Sequence, residues 1–169
     1  GLNEMEIERK FEPKKIPAEI SSHPCLFIEQ AYLCTDPVIR IRRQDDEYYM
    51  TYKGKGLMAR EEYNLPLNPA AYTHLLTKAD GNIISKKRFL IPLEHPCFTA
   101  DYPAPKEPIG LKIELDVFDP PFAPLVIAEV EFPNEEMAAA FIPPKWLGED
   151  VTNNPEYHNS NLSRRVFKR

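Results

Sequence analysis

Glu6, Glu8 and Lys10 stand two apart in MEIERKF, with Ile7 and Arg9 between them. Side chains at i and i+2 share one face of a β-strand. An extended chain here therefore presents two carboxylates and an ammonium side by side. The same spacing returns along the sequence, as Arg40 and Arg42 in VIRIRR, Lys53 and Lys55 in TYKGKG, Arg60 and Glu62 in REEYN, and Lys86 and Arg88 in SKKRF. Glu114 and Asp116 in IELDVF and Glu129 and Glu131 in AEVEF complete the series. Carboxylate pairs are hard oxygen ligands suited to Mg²⁺ or Mn²⁺. Lys and Arg pairs suit phosphate. Together they describe a site for a metal and a phosphate substrate.

For any one pair the plainer explanation is a wet face on a half-buried sheet. The set argues for more. Like charges two apart repel unless a counter-ion sits between them, and the acidic pairs are largely separate from the basic ones. Eight basic residues (Lys10, Arg40, Arg42, Lys53, Lys55, Arg60, Lys86, Arg88) face seven acidic ones (Glu6, Glu8, Glu62, Glu114, Asp116, Glu129, Glu131), leaving about +1. Two divalent cations and a triphosphate of roughly −4 to −5 bring the total near zero, as buried charge requires.

The elements that must position these residues read mostly as strands. Period-two alternation predicts strands at about 4–12, 25–34, 38–44, 47–54, 57–65, 83–92, 111–118 and 126–132. Helices are expected at 69–79, opened by Asn68 and Pro69, at 134–141, and in the tail after Pro155, with a short extra one between Pro13 and Ile20. Eighteen prolines against six glycines punctuate the chain into short segments. The faces opposite the charges are apolar, as in Ile39 and Ile41, or Ile113, Leu115 and Val117. If the charges point inward, the apolar faces point outward and the helices cover them. The expected fold is α+β, mainly β: an antiparallel barrel turned inside out, with a charged lumen and helices packed outside.

Composition narrows the function. A length of 169 residues fits a single domain over 1–169 with a real core. A net charge of −5 argues against a bulk nucleic-acid binder. No apolar run is long enough to cross a membrane and no secretory signal is visible, so no membrane partner and a cytoplasmic location are expected. Cys25, Cys34 and Cys97 show no disulfide framework, which fits a reducing compartment. His23 and Cys25, with His95 and Cys97, offer four zinc-type ligands, but compact zinc spacing is missing and coincidence beside two turns is the plainer account. TYKGKG is not a P-loop. His74 and His158 read as incidental. Nothing in the sequence fixes an oligomeric state.

Taken in order, these residues resemble the CYTH superfamily, the triphosphate tunnel metalloenzymes. The Glu6-x-Glu8-x-Lys10 signature is followed by Arg40-x-Arg42, Lys53, Arg60-x-Glu62, Lys86-x-Arg88, Glu114-x-Asp116 and Glu129-x-Glu131. PPKWLGEDVTNNPEYHNSNL, from Pro143 to Leu162, is similar to the family's closing segment. The resemblance implies an eight-stranded antiparallel tunnel and hydrolysis of a small-molecule triphosphate, with inorganic triphosphate favoured. It implies that Glu6, Glu8, Glu129 and Glu131 hold Mg²⁺ or Mn²⁺ in two sites. Lys10, Arg40, Arg42, Lys53, Lys55, Lys86 and Arg88 would grip phosphate, and Arg60, Glu62, Glu114 and Asp116 would complete the wall, with Asp116 aiding a metal or its water. Lys10, Asp116 and Glu131 join Glu6 and Glu8 as the expected catalytic set. Arg164, Arg165 and Lys168 fall where relatives often carry a basic helix that plugs the tunnel, and the tail helix ends in the basic cluster they form with Arg169. Three positions depart from the family pattern: Asn64 replaces a second acid after Arg60-x-Glu62, Asp150 stands where Glu is common, and Ala123-Pro124 replaces a glycine. Class IV adenylate cyclase, thiamine or nucleoside triphosphatase, and a non-catalytic polyphosphate-binding module are the competing readings.

Overall fold

A computed structural model of the chain describes residues 4–167. The strands are β1 (Glu4–Glu12), β2 (Cys25–Thr35), β3 (Val38–Gln44), β4 (Glu47–Lys53), β5 (Ala59–Pro66), β6 (Asp80–Pro92), β7 (Cys97–Phe98), β8 (Lys112–Phe118), β9 (Val126–Glu131), β10 (Phe141–Ile142) and β11 (Glu149–Asp150). The α-helices are α1 (Pro69–Leu76), α2 (Glu135–Ala140) and α3 (Asn159–Leu162).

Eight strands close into an antiparallel barrel in the order β1-β5-β4-β3-β2-β6-β8-β9, and β9 returns to β1. β1 makes the closure: Glu4 to Ile7 pair with β5, while Glu8 to Phe11 pair with β9. Closure leaves no long unpaired edge in the barrel. β11 adds to β1 at Phe11 and Glu12, and β10 pairs with β7 apart from the barrel.

The barrel is inside out. Glu6, Glu8, Lys10, Arg40, Arg42, Lys86, Arg88, Glu114, Asp116 and Glu129 are all buried in its lumen. The alternate residues point outward and are buried by cover. Phe11, Ile113, Leu115, Ala128 and Val130 pack with Met137 and Ala138 of α2, and with Phe141 and Leu147. Ala31 and Ile41 lie beneath Tyr72 of α1. Both helices start on asparagine caps, Asn68 as expected: Asn68 Oδ1 accepts from Ala71 N at 2.7 Å, and Asn134 Oδ1 accepts from Met137 N at 2.8 Å.

The lumen is not charged along its whole length. At the end where β2, β3, β6, β8 and β9 carry Tyr32, Val38, Ile84, Phe118 and Ile127, the inward positions turn apolar, and Phe122 and Leu162 join them in one buried cluster. The chain after α3 is clamped there by β6. Asn82 N donates to Ser163 O at 2.6 Å, and Asn82 Nδ2 to Arg165 O at 2.8 Å. Gly81 permits this approach: its φ is +81°, and a Cβ would stand 2.2 Å from Ser163 O. The tunnel is therefore a cup, closed at this end.

Three expectations change. The helix expected between Pro13 and Ile20 does not form, and only a 3₁₀ turn at Ile20–Ser22 follows, because Pro13 and Pro17 each remove an amide donor. The tail folds as a 3₁₀ turn (Pro155–Tyr157) and the four-residue α3 rather than a long helix. Arg164 and Arg165 are exposed and do not fill the tunnel. Lys168 and Arg169 lie outside the described residues. His23, Cys25, His95 and Cys97 form no cluster of metal-ligand spacing among the described residues, and the three cysteines are free.

Phe11 and Met5 share the outer face of β1, but Phe11 is fully buried and Met5 is 58% exposed. Phe11→Ala is expected to cost ~3–5 kcal/mol and Met5→Ala under ~0.5 kcal/mol, as measured by urea unfolding.

Candidate active site

The register of β1 builds the site. Glu8 stands opposite Glu131, Lys10 opposite Glu129, and Glu6 opposite Arg60. One wall, from β6, β8, β9 and β1, neutralises itself. Arg88 forks onto Asp116 at 2.7 and 2.9 Å and reaches Glu114 at 2.9 Å. Lys86 Nζ lies 2.7 Å from Asp116 and donates to Asn159 Oδ1 at 3.2 Å. Glu129 sits between Lys10, at 3.7 Å, and Arg88, at 3.9 Å. Lys53 reaches Glu6 at 3.0 Å.

The facing wall behaves differently. Arg40, Arg42 and Arg60 line the same cavity, and among the described residues none of them has a carboxylate in salt-bridge range. Arg40 donates to Thr51 Oγ1 at 3.0 Å and Arg42 Nε to Gln30 Oε1 at 2.8 Å, both neutral acceptors. The Nε groups of Arg40 and Arg60 are buried and have no partner. Glu6, Glu8 and Glu131 form the one cluster among the described residues whose ligand oxygens all lie within 4.8 Å of one another. Three acids at that spacing repel, and their donor type is that of a hard divalent cation. The trio fits the expected metal.

Placement refines the expected residue set. Glu6, Glu8, Lys10, Arg40, Arg42, Lys53, Arg60, Glu62, Arg88, Glu129 and Glu131 all line the cavity. Lys55 does not: it is exposed in the loop between β4 and β5. Lys86 and Asp116 lie behind the lining, paired with each other, and both oxygens of Asp116 are already taken. Glu129 lies against Glu8 and between the two cations, outside the trio's mutual spacing. The sequence reading missed Tyr32, His158, Asn159 and Ser160, which also line the cavity. Tyr32 was legible in principle, since it shares the inward face of β2 with Gln30. No strand period could place the tail residues.

The CYTH domain pattern matches residues 4–135. The chain belongs to the CYTH domain family. It is 36% identical over 162 residues to an inorganic triphosphatase of Nitrosomonas europaea, covering 94% of this chain and 96% of that protein. An inorganic triphosphatase of Acetivibrio thermocellus is 33% identical over 136 residues, 79% of this chain and 76% of the relative. The crystal structure of an inorganic triphosphatase matches with a TM-score of 0.63 at 33% identity, over 95% of each chain.

Two departures from the CYTH pattern now have a physical account. Asn64 Oδ1 accepts from the Thr51 hydroxyl at 2.6 Å, and Thr51 in turn accepts from Arg40. Asn64 keeps the polar link without adding charge, so Arg40 stays uncompensated. Asp150 bonds Arg9 at 2.8 Å and the Thr152 amide at 2.9 Å, while Thr152 Oγ1 accepts from Lys10 N at 2.9 Å. It braces the backbone of β1 from outside.

The acids of this CYTH site do not titrate normally. Burial, with the Glu129 and Glu6 charges, pushes Glu8 well above the carboxylate range. Burial and a hydrogen bond with Glu6 raise Glu62 to about 7. Burial with the Glu114 and Glu6 charges raises Glu131 to about 7. Burial would raise Glu6 too, but Lys53 holds it low. Raised acids bind more protons folded than unfolded, so stability falls as pH rises from the ordinary 4.5 through about 7. Glu129, held low by Lys10 and Arg88 against burial, is ionised folded and unfolded above about pH 6 and adds no slope there. Lys86, which burial lowers to about 7, gains stability with rising pH and offsets part of the fall. A cation that binds the folded state opposes the loss. Between about pH 6 and about pH 8 the metal-free melting temperature is expected to fall. Saturating Mg²⁺ is expected to raise it more at the higher pH, in thermal unfolding with and without EDTA.

Proposed function

We propose that this CYTH protein is a divalent-metal-dependent tripolyphosphatase, which hydrolyses inorganic triphosphate to pyrophosphate and phosphate. One observation carries the reading. A carboxylate trio faces three arginines that lack carboxylate partners, inside a closed lumen where uncompensated charge is costly. The names of the two relatives agree with it.

The chain's own residues bind, orient and exclude water. Arg40, Arg42 and Arg60 offer free donors to phosphate oxygens, and Lys10, Lys53 and Arg88 add positive charge from three other strands. Their positions are fixed before substrate enters, by Thr51 and Gln30 on one side and by Glu129, Glu114 and Asp116 on the other. Phosphoryl transfer depends mainly on such positioning and on charge stabilisation. Glu6, Glu8 and Glu131 would hold the Mg²⁺ or Mn²⁺, which supplies charge opposite the phosphate oxygens and a more acidic water. The trio accounts for one site; Glu129 joins a second only on leaving Lys10 and Arg88.

The competing substrates need an apolar or stacking surface for an organic end. Among the described residues no aliphatic side chain lines the cavity, and Tyr32 is the only phenol that does. A non-catalytic polyphosphate module would need the arginines but not the trio. The free cysteines fit a cytoplasmic setting, and residues 1–169 are read as one domain. Among the described residues no helix is long and apolar enough to cross a membrane.

Phosphate release from tripolyphosphate, ATP and thiamine triphosphate, with Mg²⁺, Mn²⁺ or EDTA, tests the proposal. Tripolyphosphate is expected to turn over fastest and EDTA to abolish turnover; cyclic AMP formation, or no metal-dependent turnover at all, would overturn it. Glu8→Gln is expected to lower kcat on the order of 100-fold while leaving the unfolding midpoint unchanged or higher, since it removes one of three repelling acids.

A further inference from the structure

The expected charged set leaves the closed end of the cup without a function. That end is floored by His158, Asn159 and Ser160, at the start of α3. His158 is 6% exposed. It occupies the N-cap position of α3, yet its side chain caps nothing. Its backbone is fully engaged: His158 N donates to Pro155 O at 3.1 Å, and Leu162 N donates to His158 O at 3.0 Å. The side chain is therefore not needed to hold the turn.

Four buried side-chain polar atoms among the described residues lack a partner: Gln30 Nε2, Arg40 Nε, Arg60 Nε and His158 Nε2. Three of them belong to residues that line the cavity. Arg40 and Arg60 present donors, which an unprotonated phosphate oxygen satisfies. His158 differs. The Thr152 backbone favours a proton on the ring. Since Nε2 has no partner, we assign that proton to Nδ1, which leaves the lone pair on Nε2. Burial, reinforced by the Lys10 and Arg60 charges, lowers the ring to about 4, so it is neutral near pH 7. A lone pair among cations cannot bond a bare phosphate oxygen. It needs a proton on one side or the other.

We propose that His158 is a substrate-binding residue at the closed end, where its Nε2 holds the terminal phosphate of a linear polyphosphate through one shared proton. This rests on the reading of the substrate as a phosphate chain. The terminal group is the part of such a chain that carries a proton near neutrality, with a second ionisation at about 6; internal phosphates have none to give. The proton arrives on the phosphate or is taken from solvent, and no covalent bond changes. The groups facing the ring are Lys10 from β1, Arg60 from β5, Glu129 from β9 and Tyr32 from β2. An anion bound between Lys10 and Arg60 screens the two charges that keep the ring neutral, so anion binding and proton retention reinforce each other.

Calorimetric titration of the metal-free full chain tests this, in two buffers of different ionisation enthalpy. The probes are tripolyphosphate and cyclic trimetaphosphate, which has three phosphates and no terminal group. The wild type is expected to prefer the linear chain and to take up a fraction of a proton at about pH 8. His158→Phe, which keeps the ring volume, is expected to bind the linear chain about tenfold more weakly. Its proton uptake on binding the linear chain should fall to that seen with the cyclic one, to which Glu62 and Glu131 contribute, and cyclic binding should stay within about twofold. His158→Gln restores a hydrogen-bond partner without a titrating ring. It is expected to recover part of the affinity and none of the lost proton uptake, and it carries the test if the Phe variant does not fold. Unchanged proton uptake and an unchanged linear-to-cyclic ratio in both variants would overturn the assignment while leaving the hydrolase intact. A wild type that neither binds nor hydrolyses tripolyphosphate would overturn the functional reading and this inference with it.

Discussion

Buried charge is expensive unless it is matched, and the barrel is organised around that cost. On the β6, β8, β9 and β1 side the matching is internal: Arg88 satisfies Asp116 and Glu114, Lys86 shares Asp116, and Glu129 lies between Arg88 and Lys10. Removing one member would strand a charge in a dry interior. On the β3 and β5 side Arg40, Arg42 and Arg60 meet, among the described residues, only neutral acceptors or nothing. The molecule thus neutralises one wall and leaves the other for an anion. The rigid half holds Lys10 and Arg88 in place, and the open half does the binding.

That choice dictates the exterior. Once the charges face inward, the opposite face of every strand is apolar and must be covered. α2, β10 and the 3₁₀ turn at Lys145–Leu147 cover β1, β8 and β9, and α1 covers β2 and β3. The covering segments also brace the site. Arg9, on the outer face of β1, donates to the Ala138 and Phe141 carbonyls at the end of α2 and reaches Asp150, which fixes Thr152 beside Lys10. A contact on the outside thereby sets the position of a cation on the inside.

The cup shape comes from the same strands. One step along the inward rows of β2, β3, β6, β8 and β9, polar side chains give way to Tyr32, Val38, Ile84, Phe118 and Ile127, and Leu162 seals the cluster. The polar floor formed by His158, Asn159 and Ser160 rests on this apolar stopper. It turns a tunnel into a site with a defined end.

The period-two rows made most of this legible. Every barrel strand was found within a few residues, and of the expected charged residues only Lys55, Lys86, Glu114 and Asp116 are absent from the cavity lining. Lys55 failed because the period-two row ends with β4 at Lys53, and Gly54 and Gly56 release the chain into a loop. The sequence by itself determined which faces are charged and which apolar, because a strand's side chains alternate whatever surrounds it. Only the tertiary structure decided which charges cancel and which stay open, because that depends on register across strands. It alone brought Glu131 beside Glu6 and Glu8, set Glu129 between Lys10 and Arg88, and carried His158 into the lumen from a tail with no strand period. Such contacts join residues more than a hundred positions apart, where local pattern holds no information.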